Sequence, residues 1–229
     1  MNTLFGLSVE TSPAEQPRIV PIREQVRPTA ISVAASVHDD QVHALVQQLF
    51  FRHESSPIRH VGFVAIEPTT ETATLCLEIA RALAEEGRYD IGLIDAYPES
   101  APLQSKLHIL PPNNAEATWP IAPRLWMVPR QSWLEDARGQ RTTDQAVCKL
   151  HELTTEFDFS ILWCAPASWL TASIGQACDG LVLVLTANKT RRLVAAQIKD
   201  QLSKAQIPVL GTVLAERRFP VPQGLYRSL

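Results

Sequence analysis

The sequence predicts an α/β domain, a three-layer α/β/α sandwich with a mostly parallel sheet. Three observations predict it. From Arg59 onward, short apolar runs take turns with longer stretches whose apolar residues recur at helical spacing. The short runs are apolar throughout, as in strands buried on both faces. The order is strand, helix, strand, which is how a parallel sheet acquires cover on both sides.

The elements follow in order. Residues 1–37 carry several prolines and no sustained period, and read as a flexible or docking arm preceding a domain over 38–229. A helix can start at Asp39-Asp40, where a carboxylate caps free N–H groups, and it places Val42, Leu45, Val46 and Leu49 on one face. RHVGFVAI (59–66) is a buried strand. ETATLCLEIARALAEEG (71–87) is a helix with Leu75, Ile79, Ala82 and Leu83 at its spacing and Gly87 as its stop. DIGLIDA (90–96) is the second strand, and 97–123, rich in proline, is loop with room for one short helix. RLWMVP (124–129), DFSILWCA (158–165), GLVLVLTA (180–187) and IPVLGTVL (207–214) are further strands. Helices over 142–157 and 189–205 lie between them.

Composition narrows the function. Apolar residues are 45% and charged residues 20% of 229, a balance that supports a sizeable core. The net charge of −3 supplies no general attraction to nucleic acid or anionic lipid. The pairs Arg191-Arg192 and Arg217-Arg218 read as solvated surface. Cys76, Cys148, Cys164 and Cys178 form no Cys-x-x-Cys pair and read as reduced, structural thiols of a cytoplasmic protein. The scattered histidines His43, His53, His60, His108 and His151 make no ligand set, and His38 beside two acids reads as solvated. No basic-then-apolar leader opens the chain, and no apolar run approaches the roughly 18 residues of a membrane helix. Membrane attachment is therefore expected only through a partner. Hydrolase elbows and zinc-helix motifs do not occur.

Ligands of open parallel sheets bind beyond the C-terminal ends of the strands, so the loop after the first strand, IEPTTETATL, is the place to look for chemistry. That loop with its helix, IGLIDA, FDFSILWCAP, CDGLVLVLTANKTRR followed by IPVLGTVL, and the leading helix stand in a characteristic order. From Asp40 onward the chain resembles the cytoplasmic domain of the bacterial tyrosine autokinases (BY-kinases) of capsule and exopolysaccharide synthesis. These belong to the deviant-Walker, P-loop NTPase-like group that includes MinD and ParA proteins.

The resemblance implies a nucleotide site, and the residues that would build it have changed. The family's loop ends in Gly-Lys-Ser/Thr-Thr, whose amides, lysine and hydroxyl hold phosphate and Mg²⁺. Here the loop glycines fall at Thr69 and Glu71, with Thr70 between them. The lysine falls at Thr72 and the Mg²⁺ hydroxyl at Ala73, while Thr74 keeps the next threonine. Loss of the lysine removes a charge-assisted bond of about 1.5–3 kcal/mol. Non-glycine residues make left-handed loop positions costlier by about 1–2 kcal/mol each. Glu71, read as sitting in the first helical turn, places a fixed anion where a phosphate would lie. The family's Asp-x-Asp motif is Asp95-Ala96-Tyr97 here, and the magnesium-binding acid of the third motif is Trp163. A hard cation wants several oxygens, and Asp95 alone is a poor site.

Alternatives stay open at single residues. Asp95 is a remnant acid or a turn residue. Trp163 is a plug in the vacant pocket or an ordinary strand-end aromatic. Thr69, Thr70 and Thr72 offer hydroxyls to a small anion, against the opposition of Glu71. Tyr226 is a phosphoacceptor for an active kinase or an apolar anchor. In the leading helix the family's ring-forming Glu-x-x-Arg-x-x-Arg becomes Asp40, His43 and Val46. The family's tyrosine-rich tail is reduced to Tyr226, the others being Tyr89 and Tyr97.

The expected function is that of a pseudo-kinase without catalytic residues, metal or cofactor. It would act as adaptor or regulator in polysaccharide export. Its partners would be a membrane chain-length (co-polymerase) protein or an active BY-kinase, not nucleic acid, and it could itself oligomerise. It would be cytoplasmic, or peripheral at the inner membrane through that partner. Two rivals remain. One is a kinase that binds ATP and Mg²⁺ through an atypical site. The other is a MinD/ParA-like positioning protein, which would need a basic surface or a membrane-targeting helix.

Overall fold

The computed structural model describes residues 39–52, 57–67, 72–112, 117–136, 139–166, 169–187 and 189–215. The arm 1–37, Thr69–Glu71 and Tyr226 lie outside the described residues.

The chain opens with α1 (Asp39–Val46), continued by a π-helical turn, Gln47–Phe51. Val42, Val46 and Leu49 are buried and Leu45 half-buried, as the helical spacing predicts. The wider π turn adds Phe50 to the same buried face. β1 (His60–Ala65) leads to α2 (Thr72–Glu85). That helix is stopped by Gly87 at φ +68°, a left-handed conformation glycine adopts without strain, and the Gly87 N–H bonds back to the carbonyl of Ala84 at 3.0 Å. Then come β2 (Ile91–Ala96), α3 (Leu103–Lys106), β3 (Trp119–Ala122), β4 (Leu125–Val128) and α4 (Gln131–Leu134). Two-residue strands β5 (Glu135–Asp136) and β6 (Gly139–Gln140) pair with each other. α5 (Thr143–Thr154), β7 (Phe159–Cys164), α6 (Trp169–Gly175), β8 (Gly180–Thr186), α7 (Arg192–Lys204) and β9 (Val209–Ala215) complete the domain.

The sheet has seven strands in the order β3-β4-β2-β7-β1-β8-β9, all parallel except β3. Side chains alternate across it. Val61, Phe63, Leu93 and Ile161 join the core under α1, α2 and α3, while Val64, Ile94, Leu162 and Leu183 join the core under α4 to α7. The three-layer α/β/α expectation therefore holds, for the reason given by the uniformly apolar strands.

Three local expectations are corrected. The stretch 97–123 is not merely loop and a short helix, because it also contains β3, which runs antiparallel and slips register between Pro120 and Ala122. Four residues with an internal proline do not read as a strand, and the edge of the sheet is where such a segment can survive. α4, the β5–β6 pair and α6 are too short to show a period and were not expected. Among the cysteines, Cys76 and Cys164 are buried and Cys178 half-buried, whereas Cys148 is exposed on α5 and fills no core space. Burial pushes the Cys178 thiol up to about 12.

Strand starts are pinned by carboxylates. Asp158 accepts a hydrogen bond from the Asp90 N–H at 2.8 Å, and Asp179 accepts from the N–H groups of Arg59 and His60 at 2.7 and 2.8 Å. Burial holds the His60 imidazole below its ordinary pKa of 6.5. Asp179 pulls it back up, and Arg59 and His151 push it further down. The unfolded chain therefore takes up this proton first as pH falls. Stability present above pH 6.5 is lost as the pH drops below that value, and the loss is complete once the folded-state pKa is passed. The melting temperature is expected to fall on acidification from neutrality, and to fall less steeply in a His60→Gln variant. Equal slopes for the two chains would remove His60 from the account.

Candidate functional site

Because β7 lies between β1 and β2, its residues have neighbours on both sides. Trp163 pairs in register with Phe63 of β1 and with Asp95 of β2, one residue before β7 ends. It thus occupies the middle of the C-terminal edge, facing the same core as α2. The indole is buried, with 4% exposure. Its N–H donates a hydrogen bond to Thr72 Oγ1 at 2.8 Å, and Thr72, the first residue of α2, is itself buried. The ring of Tyr97 lies against the indole, with centroids 5.1 Å apart and planes at 56°. The three motif positions Thr72, Tyr97 and Trp163 therefore meet directly. Ala73 is buried in the first turn of α2 and Thr74 half-buried.

Asp95 is fully buried and its carboxylate is engaged on both oxygens. Oδ1 accepts from the Tyr97 N–H at 3.2 Å and Oδ2 from the Leu103 N–H at 2.9 Å. The Arg130 guanidinium approaches Oδ2 at 3.8 Å. The same arginine donates through Nη1 to the carbonyls of Tyr97, Pro98 and Ser100 at 3.3, 2.5 and 2.9 Å. Trp133 donates its indole N–H to the backbone carbonyl of Asp95 at 2.9 Å. Burial pushes the carboxyl above its ordinary pKa of 3.8, and the Leu103 N–H, Arg130 and the Tyr97 N–H pull it back. In this setting Asp95 anchors the loop that follows β2. A cation would have to compete with two backbone amides for its oxygens. Arg130 and Trp133 were not foreseen from sequence. Neither stands in a motif, and only the placement of β4 beside β2 brings them to this loop.

The leading helix packs against α2. Val46 is 1% exposed and belongs to the core, and His43 Nε2 lies 3.9 Å from Glu85 Oε2 of α2 in the same chain. Among the described residues, no cluster of three or more His, Cys, Asp or Glu is placed to hold a metal ion. No helix among them is long and apolar enough to cross a membrane.

No family model matches the chain, and no curated protein matches it in sequence. Solved structures do match in fold. The kinase domain of the Escherichia coli tyrosine kinase ETK aligns over 90% of this chain and 88% of its own, with a TM-score of 0.61 and 13% identity. The VpsO kinase domain aligns over 79% and 96%, with a TM-score of 0.59 and 17% identity. A putative plasmid partition protein of Borrelia burgdorferi, solved bound to AMPPNP, aligns over 75% and 80%, with a TM-score of 0.54 and 13% identity. The architecture is thus the P-loop NTPase-like α/β fold that tyrosine kinase domains share with partition ATPases.

Proposed function

We propose that this chain is a non-catalytic relative of the polysaccharide tyrosine autokinases. It acts as an adaptor or regulator of polysaccharide export by binding a membrane chain-length protein or an active kinase. The observation that carries this reading is the buried hydrogen bond from the Trp163 indole to the Thr72 hydroxyl. It joins the position of the magnesium-binding acid to the position of the phosphate-binding lysine through neutral groups. Neither group carries the charge that attracts a triphosphate or a cation. Asp95 supports the same reading, because its oxygens are committed to the loop after β2. With no phosphoryl transfer to perform, what the fold retains is surface for partners.

Calorimetric titration and thermal melting with ATP and ADP, at millimolar nucleotide with Mg²⁺, test the first half. The expected result is no saturable heat and no shift in melting temperature. A ligand present at about 100 times its Kd adds about 2.7 kcal/mol of stability, which is a shift of several degrees in a domain of this size. A shift of that kind would establish the rival, a nucleotide-binding kinase with an atypical site. Co-purification with a membrane chain-length protein or an active kinase tests the second half.

A further inference from the structure

The two edges of the sheet are built differently. At one edge, β3 carries Pro120 and a register slip beside it, and a proline and a bulge both hinder the addition of another strand. The other edge is β9. Its seven residues, VLGTVLA, include no charge and no proline. None of the seven is buried, and Leu214 is 51% exposed. Among the described residues, nothing lies within 4 Å of where a β-carbon on Gly211 would stand, so they leave the strand open on that face as well. A long, uncharged edge that no other described strand covers is a template for pairing with another strand.

The apolar exposure continues into the helical layer. Leu193 and Val194, in the first turn of α7, are 77% and 38% exposed. The Ala187 N–H donates to the Ala215 carbonyl at 3.0 Å, which ties the turn after β8 to the end of β9. α7 starts shortly after that turn, so Leu193, Val194 and Leu214 share one end of the sheet.

We propose that this face pairs with the same face of a second copy about a two-fold axis. β9 would lie antiparallel to its counterpart and join the two sheets into one. A lone extended peptide would cover the strand edge and leave the start of α7 bare, whereas a second copy brings a strand to the strand and a helix to the helix. The two layers match in length, about 23 Å for the strand and about 20 Å for the thirteen residues of α7. The strand has no charge to repel its own image, and antiparallel helices set opposite dipole ends side by side. The chain beyond Ala215 is a poor substitute, since Pro220 and Pro222 cannot donate to a ladder. A contact of one strand and one helix flank is small for an interface, so the dimer forms and dissociates with concentration.

Sedimentation of the full chain from low to several hundred micromolar is expected to show the mass rising from one copy toward two. Leu214→Lys, and separately Leu193→Lys, should hold the chain as a monomer. Melting temperatures close to wild type would show that both variants remain folded. In a Cys148→Ser background, which removes the exposed thiol, Thr212→Cys in the middle of β9 should cross-link to its own counterpart under oxidation, and Val209→Cys should not. Three results would overturn the proposal: a single-copy mass at every concentration, a dimer indifferent to both lysines, or a dimer in which Thr212→Cys fails to cross-link.

Discussion

Replacing Trp163 with alanine is expected to lower the free energy of unfolding by about 3–5 kcal/mol, the range for deleting a large buried aromatic. The indole is almost entirely buried between α2 and the central strands, with Tyr97 packed on it, so truncation leaves a cavity at the point where β1, β2 and β7 converge. The hydrogen bond to Thr72 adds a second, separable effect. Thr72→Val leaves the indole N–H without its partner in a buried place, at a cost of about 1–3 kcal/mol. Trp163→Phe keeps much of the packing and frees a hydroxyl that can turn toward another acceptor. The double variant should therefore cost less than the sum of the two single ones, the mark of a direct contact. Urea unfolding with an unchanged m-value gives each difference. An alanine variant within about 1 kcal/mol of wild type would mean that the crevice is not filled by this side chain, well below the range for such truncations.

Asp95→Ala is expected to cost a comparable amount, about 3–5 kcal/mol, as found when one partner of a buried ion pair is removed. The N–H groups of Tyr97 and Leu103 lose their acceptor, and Arg130, whose side chain is 12% exposed, keeps its carbonyl partners but loses its carboxylate. Asp95→Asn retains an acceptor oxygen and should cost less. The effect should also be local, since the loop from Tyr97 to Pro102 hangs on this carboxylate and on Arg130. Cleavage after the exposed Glu99 by a glutamate-specific protease is the readout, slow in wild type and fast in the alanine variant. A variant that melts early yet resists cleavage there would place the loss elsewhere and remove Asp95 from its anchoring role.

Much of the architecture was legible because its signals are local. The strands containing Phe63, Ile94, Met127, Leu162, Leu183 and Val213 are short apolar runs, and a run declares itself without reference to the rest of the chain. β3 did not, because Pro120 disguises a strand that only an edge position tolerates. The candidate site divides in the same way. Motif order singled out Thr72, Asp95, Tyr97 and Trp163, but it left Trp163 between a plug and a strand-end aromatic, and Asp95 between an acid and a turn residue. It offered no sign of Arg130 or Trp133.

By itself the sequence determined the layered parallel architecture and the neutral residues, Thr72 and Trp163, that stand where the resemblance implies a lysine and an acid. Both are properties of residue identity and short-range period. Only the tertiary structure decided that Trp163 donates to Thr72, 91 residues earlier in the chain, and that Asp95 spends its oxygens on the loop after β2. It alone decided that one sheet edge is guarded by a proline while the other, among the described residues, is uncovered. The physical reason is that a hydrogen-bond partner is chosen by proximity in space. Proximity here follows from strand order, which places β7 between β1 and β2 and, among the described strands, leaves β9 with a neighbour on one side only.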